Sequence, residues 1–415
     1  MKLLTFLGVG RYETTEYIWN EQSHVSNFAP AATCRFLKPE TLIIFLTEDA
    51  QQQVFQEFRQ ALPDGLQVVP IPIPLGSDTQ QLWQIFEQVS GAVQPGETVA
   101  FDITHGLRSF PLVGLLAAAF LRSGLSVDLQ AVLYGAFDVR DKSVTPNRTP
   151  MFDLSPMLTL LEWSTAADRF NRTGDSRYLA SLVTRQRKQL AQMAGGDPRL
   201  LEQVGYLGNL AGALSNISQS LHLIRPYQVM ESVAQLPERT GKAKAALETA
   251  TAARPFDMVL EGVVQSYLPL AQPSPLDPGC LSETLRVERV MIHWYARREL
   301  WVQAVSLARE WMLSWVMLRL GLTNFTQLAS RQRVESVLGA EANDLINAKQ
   351  NKLQFSPMFF TNLPDIELIL NLWSNLTRVR NDIDHAGMRE DPGKPEDLIK
   401  QIETCIDQLD LLLIE

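Results

Sequence analysis

The chain of 415 residues has few of the side chains that cross-link proteins or bind metals. Its three cysteines, Cys34, Cys280 and Cys405, are far apart and form no Cys-x-x-Cys pair, so neither a disulfide framework nor a thiolate zinc site is expected. The five histidines are scattered and form no His-Glu-x-x-His motif. The sequence therefore predicts no metal site. A Gly-x-Ser-x-Gly motif for a hydrolase serine is also missing.

Basic side chains and long apolar runs are scarce too. Lys and Arg number 37 against 46 Asp and Glu, a net charge of −9. This balance argues against coating nucleic acid by bulk charge, although it leaves room for a small, local phosphate site. The longest apolar run, 111–121, is about half of the roughly 20 residues that a membrane helix needs. The N-terminal MKLLTFLGVG has no signal-peptide cleavage site. We expect a cytoplasmic protein with no membrane partner.

The pattern of the sequence changes near residue 150. Apolar runs typical of β-strands occur at 2–8, 41–47, 66–71, 97–104 and 127–137. They alternate with amphipathic stretches, which predicts a parallel sheet covered by helices on both faces. From MFDLSPMLTLLEW onward the pattern is helical. The predicted fold class is an α/β Rossmann-like N-terminal domain followed by an all-α C-terminal region, divided at 1–150, 151–282 and 283–415.

The first candidate site is GVGRYETTEY, residues 8–17, directly after the first predicted strand. Gly8 and Gly10 allow a ligand to approach the backbone, and Arg11 and Tyr12 follow. However, Glu13 occupies the place of the third glycine of a dinucleotide-binding motif, and no Gly-Lys-Ser/Thr follows. A nicotinamide or P-loop interpretation is therefore weak. An ordinary tight turn between a strand and a helix is an equal alternative.

The second candidate site is DITHGLRS, residues 102–109, between a predicted strand and an apolar helix. Thr104, His105, Gly106 and Arg108 form a polar cluster where the free N–H groups of a helix N-terminus favour an anion. The guanidinium of Arg108 can hold a phosphate through its forked donors. Because ligands of α/β sheets bind at the carboxyl ends of the strands, the pattern favours a ligand site. The alternative is a buried Asp102 that caps the turn beside an exposed His105.

The third candidate site is RVRNDIDHAG, residues 378–387. Arg380 and His385 are five residues apart, and Asn381 follows the arginine. A histidine can move protons near neutral pH, and an arginine can stabilise a phosphorane-like charge. Together they suit RNA cleavage in which a ribose 2′-OH attacks its own phosphate. The spacing alone favours an ordinary helix end, in which Arg380 pairs with Asp384, His385 complements the helix dipole and Gly387 ends the helix.

Taken together and in this order, four segments resemble the CARF–HEPN ribonucleases of type III CRISPR systems: GVGRYETTEY, FDITHGLRSFP, PMFDLSPMLTLLEW and RNDIDH. The resemblance implies a two-part switch. The CARF domains form a homodimer and bind a cyclic oligoadenylate activator, for which family frequency favours the tetra-adenylate. The HEPN domains then cut single-stranded RNA without a metal and leave a 2′,3′-cyclic phosphate.

The resemblance also implies roles for individual residues. Arg380 and His385 would be catalytic, with Asn381 supporting them, in a site built from two protomers. The residues implied to line the activator site are Gly10, Arg11, Tyr12, Thr104, His105, Gly106 and Arg108. No cofactor besides the activator is expected. A ligand-sensing regulator with a non-catalytic helical interaction domain is the alternative, and no role is predicted for residues 170–280.

Overall fold

The computed structural model describes residues 1–249, 254–361, 363, 365–388 and 392–412. Eight strands form one sheet: β1 (Lys2–Leu7), β2 (Thr15–Trp19), β3 (Gln22–Ser26), β4 (Thr41–Leu46), β5 (Gln67–Pro72), β6 (Thr98–Asp102), β7 (Asp128–Gly135) and β8 (Asn147–Asp153). Their order across the sheet is β3-β2-β8-β7-β6-β1-β4-β5. The five strands β7, β6, β1, β4 and β5 are mutually parallel, and β8 runs antiparallel to β7.

Helices cover both faces of this sheet because its central strands are apolar on both sides. Leu3 and Leu7 of β1 join one core cluster, and Leu4 and Phe6 join the other. The first cluster contains side chains from α1 (Ala29–Leu37), α2 (Glu48–Gln53) and α3 (Phe55–Ala61). The second contains side chains from α4 (Thr79–Gly91) and α5 (Ser109–Gly124). The sequence-based prediction of a parallel sheet between two helical layers is therefore confirmed for the central strands.

From Ser155 onward every described element is a helix. These are α6 (Ser155–Thr173), α7 (Arg177–Ala194), α8 (Pro198–His222), α9 (Pro226–Ala234), α10 (Leu236–Thr249), α11 (Arg254–Tyr267), α12 (Leu281–Ala296), α13 (Trp301–Arg319), α14 (Leu328–Gln350), α15 (Ile366–Asp384) and α16 (Pro395–Leu409), with short 3₁₀ turns at Leu268–Leu270 and Pro278–Cys280. A further 3₁₀ turn, Phe137–Val139, follows β7 in the sheet domain. The predicted fold class, an α/β domain followed by an all-α region, is confirmed.

Two differences from the sequence-based expectation concern the edge of the sheet. The chain does not enter a helix after the segment 8–14, as a tight strand-to-helix turn would require, but forms the hairpin β2–β3. Strand β8 was also not expected. The three missed strands are short, and QSHVS and NRTPMFD mix polar residues and a proline with few apolar ones. Apolar and polar residues hardly alternate in such segments. They form strands because they pair with neighbouring strands, not because of an intrinsic preference.

The chain divides into two compact units, Met1–Glu162 and Trp163–Glu415. The three-part division at residues 150 and 282 stays a prediction. Strand β8 ends at Asp153, so the sheet reaches a few residues beyond position 150. In the parts of the chain that are described, no helix has the length and apolar character needed to cross a bilayer.

Candidate functional site

The loops after β1 and β6 meet at the point where the strand order of the sheet reverses. Strand β1 lies between β4 and β6. From β1 the chain continues to β4 and β5 on one side, whereas β6 and β7 lie on the other side. Ligands of open α/β sheets bind in the crevice at such a switch point. A Cβ atom placed on Gly8 would lie 3.1 Å from Cα of Gly106. The two loops predicted as candidate sites therefore touch through their backbones.

Asp102 and Thr104 hold the β6 loop in place from inside. The fully buried Asp102 accepts hydrogen bonds from the hydroxyl of Thr33 in α1 and from the Thr104 N–H at 3.0 Å. Burial raises the pKa of this carboxyl above its ordinary value. The Thr104 hydroxyl in turn accepts the N–H of Gly135, at the end of β7, at 2.8 Å. Asp102 is thus the buried cap of the turn, and Thr104 ties that turn to β7.

His105 is partly buried rather than exposed. Its Nε2 accepts the N–H of Ala29, the first residue of α1, at 3.0 Å. Its ring stands edge-on to Tyr12, with 4.8 Å between centroids. Burial lowers the pKa of His105 from 6.5 to about 4. Since Nε2 is an acceptor, the proton of the neutral ring is on Nδ1. His105 therefore offers a hydrogen bond but no positive charge to a ligand at neutral pH.

Tyr12 closes the first loop on itself. Its hydroxyl donates to the carbonyl of Gly8, and its ring packs 4.7 Å from that of Phe28. Burial raises the pKa of the Tyr12 phenol to about 12, so it remains a donor at neutral pH. This closure leaves Gly10 and Arg11 exposed at the tip of the loop. The Tyr12 side chain is therefore fixed against the start of the loop, whereas Gly10 and Arg11 stay open to solvent.

Gly106 and Arg108 complete the crevice at the start of α5. Gly106 has a φ of +113°, and a Cβ there would lie 2.6 Å from Cδ2 of Phe110. Arg108 is exposed directly before Ser109, the first residue of α5. Within the described part of the chain, neither Arg108 nor Arg11 makes a side-chain hydrogen bond or ion pair. Two guanidinium groups with open donors thus lie on the two touching loops.

Sequence reasoning missed the residues that support this crevice. Thr33 and Ala29 come from α1, and Gly135 from the end of β7. A Cβ on Gly135 would lie 3.1 Å from both Thr104 and Tyr17. A glycine that ends a parallel strand was the one signal for this contact in the sequence. The α1 contacts had none, because they depend on how the helix packs.

The RNDIDH segment forms the last turn and the end of α15. Arg380 donates from Nη1 to Asp384 at 2.8 Å, and the N–H of His385 donates to the carbonyl of Asn381 at 3.0 Å. Gly387 follows with a φ of +65°. Arg380, Asn381 and the exposed His385 are therefore brought to one end of one helix. The same contacts are those of the ordinary helix end, so the local geometry fits both interpretations.

Asp382 was not singled out from the sequence, although it stands in the middle of the motif. Its side chain is buried, and its carboxylate accepts the N–H of Gly393 at 3.1 Å. Its carbonyl accepts the N–H of Gly387 at 3.0 Å. Asp382 therefore binds the chain after α15 back onto the helix and defines the backbone around His385.

Metal ligands do not gather at either place. Among the described residues, no group of three or more His, Cys, Asp or Glu side chains lies close enough to hold a metal ion.

Comparison with known proteins connects the chain to CRISPR-associated proteins. Residues 159–268 match the family described as CRISPR-associated protein MJ1674, second domain. The CRISPR-associated protein MJ1674 of Methanocaldococcus jannaschii is 29% identical over 153 residues, 36% of this chain and 24% of the relative. The chain thus spans about a quarter of the length of that curated relative. Both findings support a CRISPR-associated protein.

The family match covers the part of the chain to which the sequence analysis assigned no role. Residues 159–268 include most of α6 and all of α7 to α10, and they end just after α11. The elements that the structure describes in this stretch are all helices.

Replacing Gly106 by Ala should destabilise the protein by about 1–3 kcal/mol, because the methyl group would clash with Phe110 at a strained φ. Urea unfolding measures this. Gly91→Ala is the control, since nothing lies near its Cβ position and its φ is not positive. A loss for Gly106→Ala no larger than that for Gly91→Ala would contradict the packing.

The stability of the protein should fall between pH 7 and pH 5 in part because of His105. Its folded pKa of about 4 lies below the unfolded value, so the unfolded chain binds the proton first as the pH drops through 6.5. Protonation of the unfolded chain therefore lowers the free energy of unfolding by about 2 kcal/mol at pH 5. Urea unfolding at both pH values should show a smaller pH-dependent loss for His105→Gln than for the wild type. Equal losses would mean that His105 is not neutral and buried.

Proposed function

We propose that the protein is a cyclic oligoadenylate-activated endoribonuclease that cleaves single-stranded RNA in CRISPR antiviral defence. Its similarity to a CRISPR-associated protein supports the setting. The crevice of Gly8 and Gly106 supports a sensing role for the sheet domain. The observation that carries the nuclease activity is the arrangement of Arg380, Asn381 and His385 at the end of α15.

In the proposed reaction the ribose 2′-OH attacks the adjacent phosphorus and the 5′-oxygen leaves. His385 moves the proton at one of these oxygens, since an exposed imidazole can act as a general acid or base. Arg380 stabilises the charge of the phosphorane, and Asn381 supports its position. Because the nucleophile belongs to the substrate, no metal-activated water is needed. A homodimer would place two such helix ends on one phosphate.

Arg380 must change partner for this chemistry. Its Nη1 donates to Asp384 at 2.8 Å, and both side chains are partly exposed. An exposed pair of this kind contributes at most about 1 kcal/mol, whereas an arginine–phosphate contact is charge-assisted and often bidentate. RNA can therefore displace Asp384 at small cost.

The proposed activator site uses the backbone and the arginines of the switch point. Gly10 and Gly106 are exposed and let a phosphate approach the chain, and Arg11 and Arg108 supply the positive charge. Thr104, Tyr12 and the neutral His105 shape the wall. Cyclic tetra-adenylate is the favoured activator. No other cofactor enters the proposal.

The second candidate function is a ligand-sensing regulator whose helical region binds a partner and cuts nothing. The ion pair of Arg380 with Asp384 and the place of His385 directly after α15 favour it, because both are common at helix ends. Incubation of the protein with labelled RNA and cyclic tetra-adenylate separates the two functions. A regulator would leave the RNA intact.

His385→Ala should reduce RNA cleavage by about 10²–10⁴-fold, because a general acid–base contributes that much. Cleavage is measured in excess chelator with the activator present, and mass spectrometry should find a 2′,3′-cyclic phosphate. His222→Ala is the matched control, since His222 is an exposed histidine at the end of α8. Activity of His385→Ala within twofold of the wild type would contradict the assignment.

Arg108→Ala should weaken the binding of cyclic tetra-adenylate about ten- to a hundredfold, the value of one charge-assisted phosphate contact. Cleavage should return when the activator concentration is raised. Calorimetry measures the binding, and a fluorescent RNA reports the cleavage. The control Arg59→Ala removes an exposed arginine of α3. If Arg108→Ala binds as tightly as this control, the β6 loop is not the sensor.

A further inference from the structure

The segment 8–14 runs along the carboxyl edge of the sheet. It leaves β1 and reaches β2, and the strand order places β6, β7 and β8 between these two strands. Gly8 lies on Gly106 of the β6 loop, and Thr15 at the other end bonds to Asn147 and Thr149 of β8. The segment therefore passes from the β6 loop toward β8, and the loop that follows β7 lies along its course.

Arg140 belongs to that third loop, after β7 and the 3₁₀ turn Phe137–Val139. Its Nη1 donates to the carbonyl of Phe137 at 3.0 Å, and its guanidinium carbon lies 3.8 Å from the centroid of the Phe137 ring. Its Nη2 is 3.6 Å from Oε2 of Glu13 in the segment 8–14. Arg140 is thus placed by Phe137 and faces Glu13.

The donors of Arg140 are incompletely used in this arrangement. The side chain is only 15% exposed, and its Nε is buried without a hydrogen-bond partner among the described residues. A buried donor without a partner is costly. Glu13 compensates little, because its side chain is 59% exposed and 3.6 Å is beyond a charge-assisted hydrogen bond. The guanidinium therefore has donors that an acceptor with better geometry than Glu13 could bind more strongly.

The pair Arg148–Glu16 shows what a fully formed ion pair looks like in the same sheet. Nε of Arg148 donates to Glu16 at 2.7 Å across the paired strands β8 and β2. It carries the same two charges as Arg140–Glu13, but here the two side chains form a direct hydrogen bond. The longer distance at Arg140 is thus not a general property of arginine–carboxylate pairs in this domain.

We propose that Arg140 is a third phosphate-binding arginine of the activator site and that Glu13 occupies its guanidinium until a phosphate of the ligand takes the place of the carboxylate. This inference rests on the proposed sensing function. Phosphate offers Arg140 the forked, doubly hydrogen-bonded geometry that Glu13 does not supply. The exchange links ligand binding to a release of the segment 8–14 from the β7 loop.

Calorimetric titration with cyclic tetra-adenylate tests the exchange. Arg140→Gln should raise the dissociation constant about tenfold or more, because one charge-assisted contact is lost. Glu13→Gln should lower it, by up to about fivefold, because the competing carboxylate is gone. Arg148→Gln and Glu16→Gln should bind as the wild type does. A dissociation constant for Arg140→Gln equal to that of Arg148→Gln would overturn the inference.

The double variant Glu13→Gln/Arg140→Gln separates exchange from simple repulsion. If Glu13 acts by occupying Arg140, its removal should bring no gain once Arg140 is absent. A gain of the same size in both backgrounds would mean that Glu13 only repels the anion, and the exchange would be wrong. Arg140→Lys, which keeps the charge but not the fork, should fall between the wild type and Arg140→Gln.

Two further measurements distinguish a failure of this inference from misfolding and from a failure of the proposed sensing function. Equal melting temperatures of Arg140→Gln and Arg148→Gln show that lost affinity is not lost folding. If Arg140→Gln has a lower melting temperature, Arg140→Lys, which keeps the charge, is the deciding variant. If Arg140→Lys binds the ligand as tightly as the wild type does, the forked donors of the guanidinium have no role. A wild-type protein that binds neither cyclic tetra- nor hexa-adenylate overturns the proposed sensing function and this inference with it. Wild-type binding with an unaffected Arg140→Gln overturns only the inference.

Discussion

The close approach of Gly8 to Gly106 is the constraint on which the candidate sensor depends. A Cβ on Gly8 would lie 3.1 Å from Cα of Gly106, so a larger side chain there would press on the backbone of the β6 loop. That contact brings Tyr12 beside His105, and it directs the segment 8–14 toward the loop of Arg140. Arg11 and Arg108 then lie on two touching loops, in a domain that is acidic as a whole.

Two ionisable side chains of the β6 loop, His105 and Asp102, are buried or partly buried and serve the packing of the loop. His105 carries no charge at neutral pH, since burial lowers its pKa and its Nε2 accepts a backbone N–H. Asp102 is buried beneath the loop, where Thr33 and Thr104 satisfy it. The positive charge therefore comes from the arginines of these loops, whose forked donors match a phosphate.

The contacts at the end of α15 fit both an ordinary helix end and the proposed catalytic site. Arg380 bound to Asp384, and His385 just beyond the helix, stabilise an ordinary helix terminus. The same two side chains remain exposed enough to meet a phosphate. The buried Asp382 holds the following chain through Gly393, which gives His385 a defined backbone without using its ring. Helices α7 to α11, which lie within the matched residues 159–268, precede this region in the chain.

The sequence by itself determined the class of the fold and the neighbourhood of the candidate sites. Continuous apolar strands predict a parallel core, and glycines and polar residues at their carboxyl ends predict neighbouring loops, because parallel strands end at one edge. Periodicity does not reveal β2, β3 and β8, which become strands through their neighbours. Only the tertiary structure decided that His105 is neutral, that Asp102 is structural and that Arg140 faces Glu13. These properties depend on burial and on contacts between residues up to about 130 positions apart, which local patterns do not encode.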